Sequence, residues 1–351
     1  MAIGAQRDIE LTRAQLARWF RPRLAADDIE VSDITAPWNG FSNETLLFDV
    51  RWRRGAAEHT EPLVARVKPP VHVFPEYDLR KQYRAMELMG STGVPVPRMR
   101  WYEDDAAVLG APFFVMDRID GAIPPDNPTY HVADVCAAFS PESRRALWLD
   151  GLGQMARIHR LNWRTAGFSW LDQPQWGRTG IAQQLGYYRH YLAWATTGRP
   201  HPTCDPGLHW LEQNVPTSEP LGLSWGDARV GNMIFAEDRC VAVLDWEMAA
   251  IANPEADLAW WLFLDWHHSS GLGIPRLDGF PSPAETVAAW EAQVGRRAEH
   301  LPYYEVFAAF RFAVIMIRIA ALTEAAGLPT PENFAVDNIP SRRLAELLAS
   351  V

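Results

Sequence analysis

The stretch SWGDARVGNMIF at 224–235, followed at once by AEDRCVAVLDWEMAA at 236–250, decides how this chain is read. It sets Asp227, Arg229 and Asn232 in one polar loop and places Asp245 thirteen residues after Asn232, at the end of an apolar run. The pattern predicts a loop and then a hairpin, with MIF and CVAVL pairing around AEDR. An acid, an Arg and an Asn in one loop, with a second acid at a strand end, are what metal-assisted phosphoryl transfer needs. Asp227 would orient or deprotonate a hydroxyl, Asn232 and Asp245 would hold magnesium through hard oxygen ligands, and Arg229 would balance phosphate charge. Each piece alone has a plain structural explanation, because Asp and Asn in loops commonly cap turns. The weight comes from what surrounds them.

Upstream, PWNGFSNET at 37–45 is rich in turn residues, and TLLFDVRW at 45–52 carries strand composition. The polar RRGAAEHTEP reads as a hairpin connection into PLVARV at 62–67. Side chains alternate along a strand, so Val64, Arg66 and Lys68 would share one face if it stays extended that far. DLRKQYRAMELM at 78–89 predicts a helix ended by Gly90, and APFFVM at 111–116 a short buried strand. The Gly/Pro-rich DRIDGAIPPDNP at 117–128 is the candidate hinge. Beyond it the chain turns helical: Ser140 and Pro141 form an N-cap and N1 pair, and Trp148, Leu152, Met155 and His159 recur on one helix face. His159 on that apolar face is expected to be a satisfied core histidine. At the amino end, Thr12 and Gln15 form a capping-box pattern, with Leu11 placed to staple onto Leu16. The outline is α+β: a small β-rich lobe, a hinge and a larger, mainly helical lobe.

Composition narrows the function. With 351 residues, 48% hydrophobic and 22% charged, the chain is globular and long enough for about two domains. A net charge of −10 opposes nucleic-acid binding, which depends on basic contacts to phosphates. The three cysteines are widely spaced and form no CxxC pair, which fits a reducing cytoplasm. The amino terminus has charges where a signal peptide needs an apolar stretch. VFAAFRFAVIMIRIAAL at 306–322 is interrupted by Arg311 and Arg318, so it is expected to be a buried core helix and no membrane partner is expected.

Taken in order, WGDARVGNMIF and VAVLDWEMAAIANPEADLAWW resemble the catalytic and metal-binding segments of the aminoglycoside phosphotransferase and choline-kinase-like family. Four further stretches fall in the family's order: NGFSNET for the phosphate loop, PLVARVKPP for the cation strand, PFFVMDRIDG for the hinge and MARIHRLNW for the helix before the catalytic loop. The branch most similar is that of the kinase-like domains fused to some acyl-CoA dehydrogenases. The resemblance implies a two-lobed protein-kinase-like fold, with an N-lobe over 1–117 and a C-lobe over 118–351. It implies ATP or GTP with Mg2+, and phosphate transfer to a hydroxyl of a small molecule. By position, Asp227 would be the catalytic base and Asn232 and Asp245 the magnesium ligands. Asn39, Gly40, Ser42 and Asn43 would meet the nucleotide phosphates together with Arg66 or Lys68. Asp117 to Ile119 would offer backbone groups to adenine, and Asp257 would anchor the catalytic loop.

Two positions depart from the pattern. Trp225 stands where the family usually has His, and Gln82 where a Glu commonly pairs with the phosphate cation. Arg66 is favoured as that cation because it can clasp phosphate oxygens bidentately, with Lys68 one strand repeat on as the alternative. Trp260, Trp261, Phe263 and Trp266, with only Asp257 and Asp265 among them, favour a partly apolar acceptor such as a hydroxyacyl-CoA-like alcohol. Core packing explains aromatics at such spacing as well. His267 and His268 would line the rim of that pocket. The rival readings are an aminoglycoside O-phosphotransferase and a catalytically silent nucleotide-binding module.

Overall fold

The structure is a computed structural model that describes residues 7–36 and 44–351. Asn39, Gly40, Ser42 and Asn43 of the expected phosphate loop lie outside the described residues. The chain divides into two units, one of residues 1–87 and 97–119, the other of residues 88–96 and 120–351.

The first unit is an antiparallel sheet of five strands in the order β1-β2-β3-β5-β4. These are β1 (Asp28–Val31), β2 (Glu44–Arg54), β3 (Ala57–Val67), β4 (Met99–Glu103) and β5 (Phe113–Asp117). Alternation makes the strands amphipathic: Leu46, Phe48 and Val50 of β2 and Leu63, Ala65 and Val67 of β3 point to one buried face. Leu16, Trp19 and Phe20 of helix α1 (Ile9–Leu24) cover that face. Helix α1 begins a turn earlier than the capping-box pattern suggests, because Asp8 is the N-cap and accepts from the Leu11 amide. Thr12 lies inside the helix with its hydroxyl on the Asp8 carbonyl, and Leu11 is exposed. Two more helices complete this section of chain, α2 (Leu79–Met89) and the short α3 (Ala106–Leu109).

The second unit carries the helices α4 (Asp134–Ala137), α5 (Pro141–His159), α6 (Ile181–Ala195) and α7 (Cys204–Gln213), and then α8 (Glu255–His268), α9 (Pro283–Val294), α10 (Leu301–Ala325) and α11 (Ile339–Ser350). Between α7 and α8 lie two small antiparallel pairs, β6 (Gly222–Ser224) with β9 (Ala250–Ala252), and β7 (Met233–Ala236) with β8 (Arg239–Val243). The β7–β8 pair is the hairpin expected from the sequence. Helix α5 starts as expected, with Ser140 capping and Pro141 at its first position. Helix α10 is long and apolar enough to cross a membrane, yet 67% of its most apolar window is buried within the protein. Its Arg311 is buried because it has local partners: the Tyr188 hydroxyl at 3.1 Å and the Gly226 carbonyl at 2.9 Å.

Candidate active site

The loop after β6 is held from below by one carboxylate. Asp257, fully buried in the first turn of α8, accepts from the Ser224 hydroxyl and the Trp225 amide, each at 2.7 Å, and from the Gly226 amide at 3.0 Å. His159 Nε2 stands 2.9 Å from the same carboxylate, and His159 Nδ1 lies 2.9 Å from the Trp290 indole nitrogen. An indole can only donate, so the histidine proton sits on Nε2 and points at Asp257. Burial pushes the Asp257 carboxyl up, but the bonds from His159, Ser224 and Gly226 outweigh it and hold the group below the usual carboxylate range. Gly226 adopts φ +91°, and a Cβ there would stand 2.1 Å from the Met248 carbonyl oxygen, so the loop can pass only as glycine.

Trp225 answers the question its position raises. The ring is fully buried, and its N–H donates to the Leu244 carbonyl at 2.8 Å. The Leu244 amide in turn donates to the Asn232 carbonyl at 2.8 Å. The catalytic-loop candidate and the residue before Asp245 are therefore tied at two points, and Asp245 follows directly with φ +57°. That left-handed backbone is uncommon outside glycine, and Asp and Asn are among the side chains that adopt it most readily.

Above this base, Asp227, Arg229 and Asn232 bond to one another. Asp227 Oδ2 accepts from Asn232 Nδ2 at 2.6 Å and from Arg229 Nε at 3.2 Å, and Oδ1 accepts from the Trp260 indole at 2.7 Å. Arg229 also reaches Asp126, with Nη1 2.5 Å from Oδ1. Burial works against the Arg229 charge, yet Asp227 and Asp126 outweigh it and raise its pKa. Gly231 makes room for this pair, since a Cβ there would meet Arg229 Nη1 at 2.5 Å. The guanidinium is thus shared between two carboxylates, which suits it to hold Asp227 more than to face phosphate. Asn232 commits its amide nitrogen to Asp227, at the side chain and at the backbone oxygen 3.0 Å away, so its amide oxygen is the atom left for a cation. The Asn232 amide oxygen and the Asp245 carboxylate are hard oxygen donors of the kind magnesium accepts. Among the described residues no group of three or more His, Cys, Asp or Glu converges as a metal cage would require.

The other expected residues lie in the first unit. Arg66 is half-buried on β3, on the face opposite the one that α1 covers, as is Val64. Lys68 stands one residue beyond the strand end, with its amide on the Pro112 carbonyl at 3.0 Å. Gln82 is buried and donates to the Tyr77 hydroxyl at 3.2 Å. Asp117 closes β5 with its carboxylate 2.5 Å from Arg100 Nε. The amides of Asp117 and Arg118 donate to the carbonyls of Arg98 and Pro62. Among the described residues, Ile119 keeps the free N–H of this segment.

The model of the phosphotransferase enzyme family matches residues 33–310. The chain belongs to the phosphotransferase enzyme family. It is 28% identical over 303 residues to a probable acyl-CoA dehydrogenase, IBR3, of Arabidopsis thaliana, a match covering 79% of this chain and 35% of that protein. The chain therefore spans about a third of that relative's length. Its backbone is similar to that of a putative aminoglycoside phosphotransferase from Ralstonia eutropha, with a TM-score of 0.67, 23% identity and 95% of each chain covered. It is also similar to aminoglycoside phosphotransferase APH(4)-Ia, solved with ADP and hygromycin B, with a TM-score of 0.54, 14% identity and 96% and 98% of the two chains covered. The fold is α+β and protein-kinase-like.

Several residues of this phosphotransferase-family chain at the candidate site escaped the sequence reading. Trp260 was legible only as one of several aromatics, although its indole holds Asp227. Asp126 lies within the hinge-like Pro/Gly stretch, where nothing marked it as the partner of Arg229. It also stands 3.3 Å from His268 Nε2. Beside them a small cavity is lined by Asp126, Tyr130, Arg229, Trp261, Asp265 and His268. Asp265 is spoken for by Tyr130, His131 and Arg276. From Trp260 a row of rings continues through Phe263, Phe312 and His267, with neighbouring centroids 6.2, 6.1 and 4.9 Å apart. Burial, reinforced by the charge of His268, pushes the His267 ring down to about 3, so it is neutral at physiological pH.

Proposed function

We propose that the chain transfers the γ-phosphate of ATP to a hydroxyl of a small, partly apolar molecule. The observation that carries this reading is the bonding of Asp227 to Asn232 and Arg229, with Asp245 tied to Asn232 through Leu244. Asp227 would align the incoming hydroxyl and take its proton, and Arg229 would keep that carboxylate in place. Asn232 and Asp245 would hold Mg2+, which neutralises phosphate charge when bound. In the first unit, Arg66 is the preferred phosphate cation and Lys68 the alternative, and the Ile119 N–H is the group offered to adenine.

The acceptor side favours an apolar alcohol over an aminoglycoside. A polycationic sugar needs uncommitted acids, whereas Asp126 and Asp265 are each paired with an arginine. The rings that continue from Trp260 are apolar, and His267 is uncharged. Three free, buried cysteines support a reducing cytoplasmic setting.

Incubation with Mg-ATP and a panel holding hydroxyacyl-CoA thioesters, free hydroxy acids, gentamicin and hygromycin B, read by mass spectrometry, tests the proposal. Phosphorylated hydroxyacyl products are expected, and Asp227→Asn should lower their formation by about 100-fold or more. Turnover of wild-type magnitude in that variant would sink the assignment. Phosphorylated gentamicin or hygromycin B alone would transfer it to the aminoglycoside class. Nucleotide binding with no product from any acceptor would make the chain a binding module.

A further inference from the structure

The four acceptor positions of the Asp227 carboxylate are unequally used. A carboxylate offers about two lone-pair sites on each oxygen. Oδ2 receives two donors, Asn232 Nδ2 at 2.6 Å and Arg229 Nε at 3.2 Å. Oδ1 receives one, the Trp260 indole N–H at 2.7 Å. The oxygen with a site to spare is therefore Oδ1, and the group that fixes where that site points is Trp260.

Behind the indole stands a buried cation. The Arg311 guanidinium carbon lies 4.6 Å from the centroid of the Trp260 ring, and its Nη2 donates to the Gly226 carbonyl at 2.9 Å. Its remaining polar partners are the Tyr188 hydroxyl and the Met248 sulfur, so no carboxylate neutralises it by direct contact among the described residues. A positive charge over an indole face draws electron density from the ring and makes the N–H a stronger donor. The same arginine steadies the peptide immediately before Asp227. Two elements far apart in sequence, α8 and α10, thus converge on one carboxylate oxygen.

We infer that Trp260 is a positioning residue: its N–H, backed by Arg311, turns Asp227 so that Oδ1 receives the acceptor proton. This rests on the phosphotransfer proposed above. As the acceptor oxygen bonds to the γ-phosphorus, the bond from that phosphorus to the β,γ-bridging oxygen breaks and its electron pair leaves on ADP. The acceptor proton passes to Oδ1, on the lone pair that Trp260 does not use. Losing the N–H leaves Asp227 bonded to Asn232 and Arg229 at Oδ2, but removes the one donor that fixes Oδ1.

The test is Trp260→Phe in the full chain, which keeps an aromatic ring beside Arg311 and deletes the donor. With Mg-ATP and a hydroxyacyl-CoA thioester from the panel as acceptor, kcat should fall about 10- to 100-fold while the KM for Mg-ATP stays within about twofold. A purely structural role would change the unfolding midpoint and both constants together. An unchanged kcat, or a fall matched by loss of nucleotide affinity, overturns the inference. A second measurement needs no acceptor. In a spectrum of 15N-indole-labelled protein, the cross-peak lost in Trp260→Phe should move upfield in Asp227→Ala, and a peak that stays in place overturns the inference. If wild type makes no product from any acceptor but the peak moves, the phosphotransfer reading fails and the Trp260–Asp227 bond stands.

Discussion

Gly226 shows how much a single position constrains the site. Its φ of +91° excludes most side chains, and the Met248 carbonyl occupies the place of a Cβ at 2.1 Å. Gly226→Ala therefore combines backbone strain with a clash against backbone that cannot rotate away. The expected cost is about 3 kcal/mol in denaturant unfolding, and a cost below about 1 kcal/mol would show that the loop relaxes freely. The glycine was legible in the sequence only through the motif around it. Its partner at position 248 was not, because the approach depends on how the turn after Asp245 returns. Trp260 and Asp126 were illegible for a related reason: a hydrogen bond from an indole, or an ion pair across 103 positions, leaves no periodic mark in the chain.

At the scale of elements, α8 is the organiser. Asp257 in its first turn holds the loop backbone, Trp260 one turn later holds Asp227, and Asp265 and His268 toward its end hold the segment around Asp126 and Tyr130. The anchoring role of Asp257 was legible only through the family resemblance, and the bonds from the Trp225 and Gly226 amides agree with it. The pairing of His159 with both Asp257 and Trp290 agrees with the satisfied core histidine expected from its helix face. A pH dependence follows from Asp257. Its folded pKa lies below the ordinary Asp value of ~3.9, so its stabilisation is complete above the unfolded value and is lost as pH falls through the folded one. Asp257→Asn should be about 2–4 kcal/mol less stable than wild type at pH 7, with the gap narrowing below about pH 4. Urea unfolding across that range checks it, and a gap that does not change with pH would remove the carboxylate charge from the explanation.

For the whole molecule, the division into a sheet-bearing section and a helical one was visible from strand alternation before residue 117 and helical spacing after 140. The arginines in α10 had suggested a core helix, and the structure supplies the partner atoms that make a buried cation tolerable there. The start of α1 was misplaced because the Thr12/Gln15 pattern resembles a cap, whereas in the structure Asp8 caps the Leu11 amide and the Thr12 hydroxyl turns back onto the Asp8 carbonyl inside the helix. Ligand linkage gives a test on the intact chain. Mg-ADP at about 100 times its Kd should add about 2.7 kcal/mol to stability and raise the unfolding midpoint. Asp245→Asn, which keeps a residue tolerant of left-handed backbone but removes the charge, should lose the part of that rise that depends on magnesium. Equal rises in the two proteins would take Asp245 out of the metal site.

The indole of Trp225 has a final consequence, for the acid tolerance of the site. A histidine at this position would change its charge between about pH 5 and 8 and could exchange the roles of its two nitrogens. An indole carries its proton throughout that range and has one bond to make, which here goes to the Leu244 carbonyl. The strut between the loop and the strand end is therefore the same at pH 5 as at pH 8, and the residue that departs from the family pattern removes a titration from the site.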